Sequence, residues 1–132
     1  MDIIHKKTKT IFESDNNLFC LLTMNPHPVH TNVEYAKNAH HGKILVVGTL
    51  VLSLAVGITV EDLSFDAIAN LEYNDVIHKK PVFIDDTIHV ISKIIHKRYK
   101  SENRIIQTIQ SVVYNQRDEI VLTFTRKILK HE

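Results

Sequence analysis

Residues 44–60 read Ile-Leu-Val-Val-Gly-Thr-Leu-Val-Leu-Ser-Leu-Ala-Val-Gly-Ile-Thr-Val, 17 positions without a charge. A segment that is apolar on every face must be enclosed on every side, by lipid or by the rest of its own fold. This run barely reaches the length of a membrane span, and the chain beyond it reads as amphipathic strands, so the reading is a protein core and not a membrane. The run divides at Gly48: a short strand over 44–47 is expected to break there into a helix over 49–60, which stops before Glu61 and Asp62. Gly48, Thr49, Ser53, Ala55 and Gly57 are small enough to let other backbone approach closely.

Downstream of Asp62 the pattern changes to period two, the mark of strands with one buried face. Ala67, Ala69, Leu71 and Tyr73 alternate with Ile68, Asn70, Glu72 and Asn74. Residues 81–86 form a connection with an acidic tip, and 87–96 read as a β-branched strand. Residues 103–114 are another, and the polar turn 115–119 joins it to a last strand over 120–129. Upstream, 8–12 suit a short strand, and Ser14-Asp15 suits the start of a helix ending near Met24, because Asn25 precedes a proline. Residues 25–30, with two prolines, are expected to be a stiff extended loop. Asn32 then caps a second short helix, and 40–42 make a turn into the apolar run. Only a strongly curved antiparallel sheet covers a helix that is apolar all round, so the fold class is α+β, a sheet wrapped around one long central helix. One protomer leaves the other side of that helix open, which implies a homodimer or a dimer of dimers.

With 132 residues, the chain reads as one domain over 1–132. The 16 Lys and Arg against 15 Asp and Glu give a formal charge of +1 and no basis for binding nucleic acid or an anionic membrane. A lone Cys20 in an apolar run points to packing and a reducing compartment, and the first residues lack a signal-peptide core, so a cytoplasmic location is expected. The nine His are notable for their grouping: His27, His30, His40 and His41 fall in one short region before the central helix. Zinc is disfavoured there, because no Cys or acidic ligand lies at a usual spacing and the prolines spoil helical presentation. A helix N-terminus at Gly48 and Thr49 offers free N–H groups and partial positive charge, suited to an enolate oxygen on a thioester.

The stretch Thr23-Met24-Asn25-Pro26-His27-Pro28-Val29-His30, followed by five residues and Ala36 and then by Gly42 and the apolar run through Gly48, resembles the MaoC-like (R)-specific enoyl-CoA hydratases. Those are hot-dog-fold proteins whose motif reads small-Gly-Asp-x-Asn-Pro-aliphatic-His, five residues, Ala. Ala69-Asn70-Leu71, Pro81-Val82-Phe83, Asp86-Thr87 and Tyr114-Asn115-Gln116-Arg117 are similar to the branch that hydrates mesaconyl- and itaconyl-type dicarboxylic enoyl-CoAs. The resemblance puts the family's catalytic His on His30, its catalytic Asp on Asn25 and its Asn on His27. It puts the oxyanion turn on Gly48 and Thr49, with Val47 where many members carry a polar His or Asn. It matches Arg104 to an Arg that binds CoA phosphates or a free carboxylate, an assignment weighed against a solvated cluster with Arg98 and Lys100. It implies a CoA or acyl-carrier thioester as substrate, with no metal and no cofactor. Asn25 departs from the motif: a carboxamide orients water but carries no proton. Two other classes stay open, a hot-dog thioesterase, disfavoured because the central run has no carboxylate, and a non-catalytic thioester-binding subunit.

Overall fold

The structure is a computed structural model that describes residues 1–132. Its elements, in chain order, are β1 (Asp2–Ile4), β2 (Lys9–Thr10), α1 (Glu13–Leu22), α2 (Pro28–Thr31), α3 (Val33–Lys37) and α4 (Gly48–Thr59). A π-helical turn (Val60–Ser64) continues α4, and β3 (Ala69–His78), β4 (Thr87–Ser101), β5 (Arg104–Tyr114) and β6 (Ile120–His131) follow. The strands make one antiparallel sheet in the order β1-β4-β5-β6-β3, with β2 also on β4. The sheet wraps α4 in the hot-dog arrangement expected above.

The packing of α4 follows from its sequence. Leu50, Val51, Ala55 and Ile58 are buried against Ile88, Val90, Val113, Leu122 and Phe124 of the sheet. Each large side chain so enclosed contributes about 1.5–3 kcal/mol relative to exposure. The enclosure is one-sided. Thr49, Ser53 and Gly57, four residues apart on one stripe, stay exposed, and Leu52, Leu54 and Val56 beside them are half-buried. No helix of the protein is long and apolar enough to cross a membrane.

Several expectations change in detail. The strand expected over 44–47 is a single bridge, Leu45 to Phe83, reinforced by the Val46 N–H on the Val82 carbonyl at 2.9 Å. Helix α4 begins at Gly48, and past Thr59 it widens into the π turn in place of stopping, which keeps Leu63 buried against Ile109 and Ile128. Residues 25–30 are not fully extended: Pro28 occupies the first position of α2, where its missing N–H costs nothing. Helix α1 starts at Glu13, and Asp15 accepts from the Phe12 N–H at 2.8 Å from inside the first turn. Ser14 is not the cap. The Asn32 cap stands as expected, its side chain accepting from the Tyr35 N–H at 3.0 Å.

Two features of the concave face gave no sign in the sequence. Arg126 is fully buried and donates to Thr59 Oγ1 at 2.8 Å and Ser64 Oγ at 3.2 Å, at the C-terminal end of α4 where a cation is favoured. Desolvation pushes its guanidinium below the usual arginine range. His5, between β1 and β2, is also buried. Its Nδ1 meets Asp62 Oδ2 at 2.7 Å and its Nε2 meets Ser92 Oγ at 2.8 Å, and Ser92 in turn bonds Ser111.

The outer edge contrasts with this interior. Strand β3 ends the sheet, and Leu71, Tyr73, Val76 and Ile77 on it are all exposed, so neither of its faces is covered as the period-two pattern led one to expect. Leu18, Leu21, Leu22 and Met24 on and after α1 are likewise exposed.

Candidate functional site

The chain around His30 is held by short-range geometry. In α2, the His27 Nδ1 accepts from the Val29 N–H at 3.1 Å, so in the neutral ring the proton sits on Nε2. His27 is therefore a cap for the turn that carries His30. His30 has the opposite arrangement: its Nδ1 lies 2.6 Å from the Leu45 carbonyl oxygen. A carbonyl only accepts, so Nδ1 carries the proton and Nε2 is left as the basic nitrogen.

One buried side chain ties this turn to the central helix. Asn16 of α1, 1% exposed, donates through Nδ2 to the His30 carbonyl at 2.9 Å and accepts through Oδ1 from the Val47 N–H at 3.1 Å. Val47 is the residue before α4 and has extended backbone angles, and no side chain caps the helix. The Leu50 and Val51 N–H groups both turn back to the Val47 carbonyl, at 3.0 and 3.3 Å. Gly48 and Thr49 thus supply the first helical N–H groups that have no carbonyl behind them. Val47, buried, presents backbone alone at this turn.

His30 and Gly48 line one cleft of about 290 Å³ with His41, Leu45, Val46, Val51, His78, Lys79, Lys80, Pro81 and Val82. The Leu45–Phe83 bridge explains the company: it draws the segment after β3 alongside the segment before α4. The lining carries three imidazoles and two ammonium groups and no carboxylate. Lys80 is engaged by Glu119 at 2.6 Å. That contact first, then Asn115 and Arg117, holds the Glu119 carboxyl down at about 2. His41 packs edge-on against Phe83 at 5.6 Å between centroids.

The other expected residues lie elsewhere. Asn25 does not line the His30 cleft. It opens on a neighbouring, more apolar cavity of about 620 Å³ with Cys20, Leu21, Met24, Pro26 and Thr31. Its Oδ1 accepts from the His27 N–H at 3.3 Å, the contact of a turn residue. Burial raises the Cys20 thiol above its ordinary value, in keeping with packing. Arg104 is exposed at the β4–β5 hairpin and pairs with His131, at the end of the sheet opposite His78 and Leu122. Within one protomer it is remote from the cleft. Sequence reasoning missed Asn16 and His78, whose roles depend on contacts 31 residues away for Asn16 and on the approach of β3 to Gly48 for His78.

A second constellation joins the N-terminal segment to the sheet. Asp62, His5 and Ser92 form an acid–imidazole–hydroxyl line with hydrogen-bond lengths suited to nucleophile activation. His5 is 3% exposed and Ser92 is 1% exposed, so no substrate reaches the hydroxyl. This line fastens the N-terminal segment to the π turn and the sheet.

The fold agrees with comparisons across known proteins. Residues 1–116 match the MaoC like domain. The chain is 30% identical over 128 residues to a β-methylmalyl-CoA dehydratase of Chloroflexus aurantiacus, covering 96% of this chain and 36% of that protein. It is 27% identical over 128 residues to a mesaconyl-CoA hydratase of Cereibacter sphaeroides, covering 96% and 37%. The chain therefore spans little more than a third of those relatives. It superposes on a monoamine oxidase regulatory protein from Archaeoglobus fulgius with a TM-score of 0.90 and 35% identity, over 100% of this chain and 89% of the other. The chain belongs to the MaoC-like domain family.

Proposed function

We propose that the protein adds water reversibly across the double bond of a short enoyl-CoA, of the branched or dicarboxylic mesaconyl or itaconyl kind. The observation that carries this reading is the orientation of His30. The Leu45 carbonyl fixes its tautomer, which leaves Nε2 as a base in a cleft whose floor is the N-terminus of α4. With the thioester oxygen on the Gly48 and Thr49 N–H groups, Nε2 takes a proton from water as the water oxygen bonds to the β-carbon. The electron pair of the double bond moves toward the thioester as an enolate, which the helix N-terminus stabilises. A proton delivered to the α-carbon completes the addition. Asn25 carries no proton in this scheme; through the His27 N–H it shapes the loop that presents His30.

Two further points support the acyl class. The cleft lining is cationic and has no carboxylate, which suits an acyl group with its own carboxylate. The similarity to proteins named for methylmalyl and mesaconyl thioesters points the same way. A second copy of the chain completes the site in this reading. The exposed β3 edge is a template for antiparallel pairing with another β3. Such pairing sets one copy's Ala69 end beside the other's His78, which turns the Arg104 hairpin toward the neighbouring cleft. The pantetheine arm, whether of CoA or of an acyl carrier, then enters between protomers.

The test offers crotonyl-, mesaconyl- and itaconyl-CoA and follows enoyl-thioester absorbance and free thiol together. Loss of absorbance with the thioester intact is expected. Thiol release without loss of the double bond would identify a thioesterase, against which stands the absence of any carboxylate from Gly48 to Thr59. Tight thioester binding with neither change would identify a non-catalytic subunit.

A further inference from the structure

Water addition needs two proton transfers, one from the water and one to the α-carbon. In this chain the position that resembles the family's carboxylate is Asn25, whose carboxamide carries no proton. A second carrier that shares the transfers with His30 would face the His30 cleft itself. The titratable groups that do so are His41 from the turn before α4, His78 from the end of β3, and Lys79 and Lys80 just after it. Lys80 is held by Glu119, and His41 by its packing on Phe83. An ammonium group gives up its proton reluctantly near neutral pH, whereas an imidazole both gives and takes there.

His78 is also the group in the right place. A Cβ built on Gly48 would stand 2.9 Å from His78 Cε1 and 3.1 Å from its Nε2. The ring therefore rests against the backbone whose N–H groups would hold the thioester oxygen. The α-carbon of a bound thioester is only two bonds from that oxygen. The absence of a side chain at Gly48 is what admits the ring, because any Cβ there would overlap it.

We infer that His78 is a second catalytic residue, the proton donor to the α-carbon in hydration and the base that removes the α-proton in dehydration. This rests on the hydratase reading of the same cleft. In hydration His30 begins neutral and His78 begins protonated. Nε2 of His30 takes a proton from water, the C–O bond forms at the β-carbon, and the enolate collapses as the C–H bond forms with the His78 proton. His30 is left protonated and His78 neutral, and exchange with solvent resets both.

The test uses an enoyl-CoA that the wild type hydrates and records kcat/KM against pH for wild type, His78→Gln and His78→Phe. His78 is exposed, so neither change opens a cavity in the core. The expected result is a rate loss of about 10²- to 10⁴-fold. The alkaline limb that a protonated donor imposes on the profile disappears, and affinity for a saturated acyl-CoA is unchanged. An unchanged rate and pH profile would overturn the inference, as would a loss confined to KM, which would make His78 a binding group. An active wild type with indifferent His78 variants sinks this inference alone. A wild type that hydrates no enoyl thioester sinks it together with the hydratase reading.

Discussion

Two histidines in this molecule have well-made hydrogen bonds, and only one of them has room to do chemistry. His5 is aligned between a carboxylate and a hydroxyl, with both ring nitrogens engaged and 3% of its surface exposed. His30 has one nitrogen on a backbone carbonyl and sits in an open cleft over a helix N-terminus. By bond lengths alone, His5 is the better match to an activated nucleophile. Access reverses the ranking: a base needs one nitrogen held and the other free, beside a place for a substrate to rest. In the proposed reaction the contrast makes one histidine a fastener and the other the base.

The sharpest way to break that contrast is to remove each ring. His30→Ala should lower kcat by about 10²- to 10⁴-fold, the usual worth of a positioned base, with acyl-CoA affinity and folding intact. Steady-state kinetics beside a binding titration checks it. Asn16→Ala is expected next in size. It leaves the buried Val47 N–H without an acceptor, at a cost of about 1–3 kcal/mol in stability. It also frees the His30 turn, so kcat should fall along with the urea midpoint. Restoring the unfolding midpoint with a stabilising osmolyte should leave the kcat defect in place. His5→Ala should cost a similar or smaller amount of stability, because Asp62 is partly exposed and can recover water. The remaining folded protein should turn over at the wild-type rate, and a rate loss on the scale of His30→Ala would erase the distinction between the two sites.

How much of this was legible in the sequence differs by region. The uncharged run after Lys43 declared a wrapped helix, because no exposed element tolerates such composition, and the long strands followed from their period. Asn32 was readable as a cap because its partner lies three residues on. The π turn was hidden, since Glu61 and Asp62 look like a stop, and burial of Leu63 outweighs that signal. Strand β1, of 3 residues, is too short to show a period, and with it went the role of His5, whereas β2 falls inside the strand expected over 8–12. Within the site, His30 and Gly48 were legible as motif positions. Asn16 was not, because a lone amide on a helix gives no sign that two distant backbone groups will close on it. His78 was invisible for the same reason, as its partner Gly48 lies across the Leu45–Phe83 bridge. Asn25 and Arg104 came from likeness to a motif alone, and within one protomer Asn25 opens on the cavity beside Cys20 while Arg104 lies at the far end of the sheet.

The central claim is that water is added to a double bond at the His30 cleft. Its most direct test is to incubate wild type and His30→Ala with mesaconyl-CoA in water carrying heavy oxygen and deuterium, and to read the acyl group by mass spectrometry. The wild type should yield an intact thioester with heavy oxygen on the β-carbon and deuterium on the α-carbon, and His30→Ala almost none in the same time. Equal labelling by the two proteins, or heavy oxygen appearing only in a released carboxylate, would contradict it.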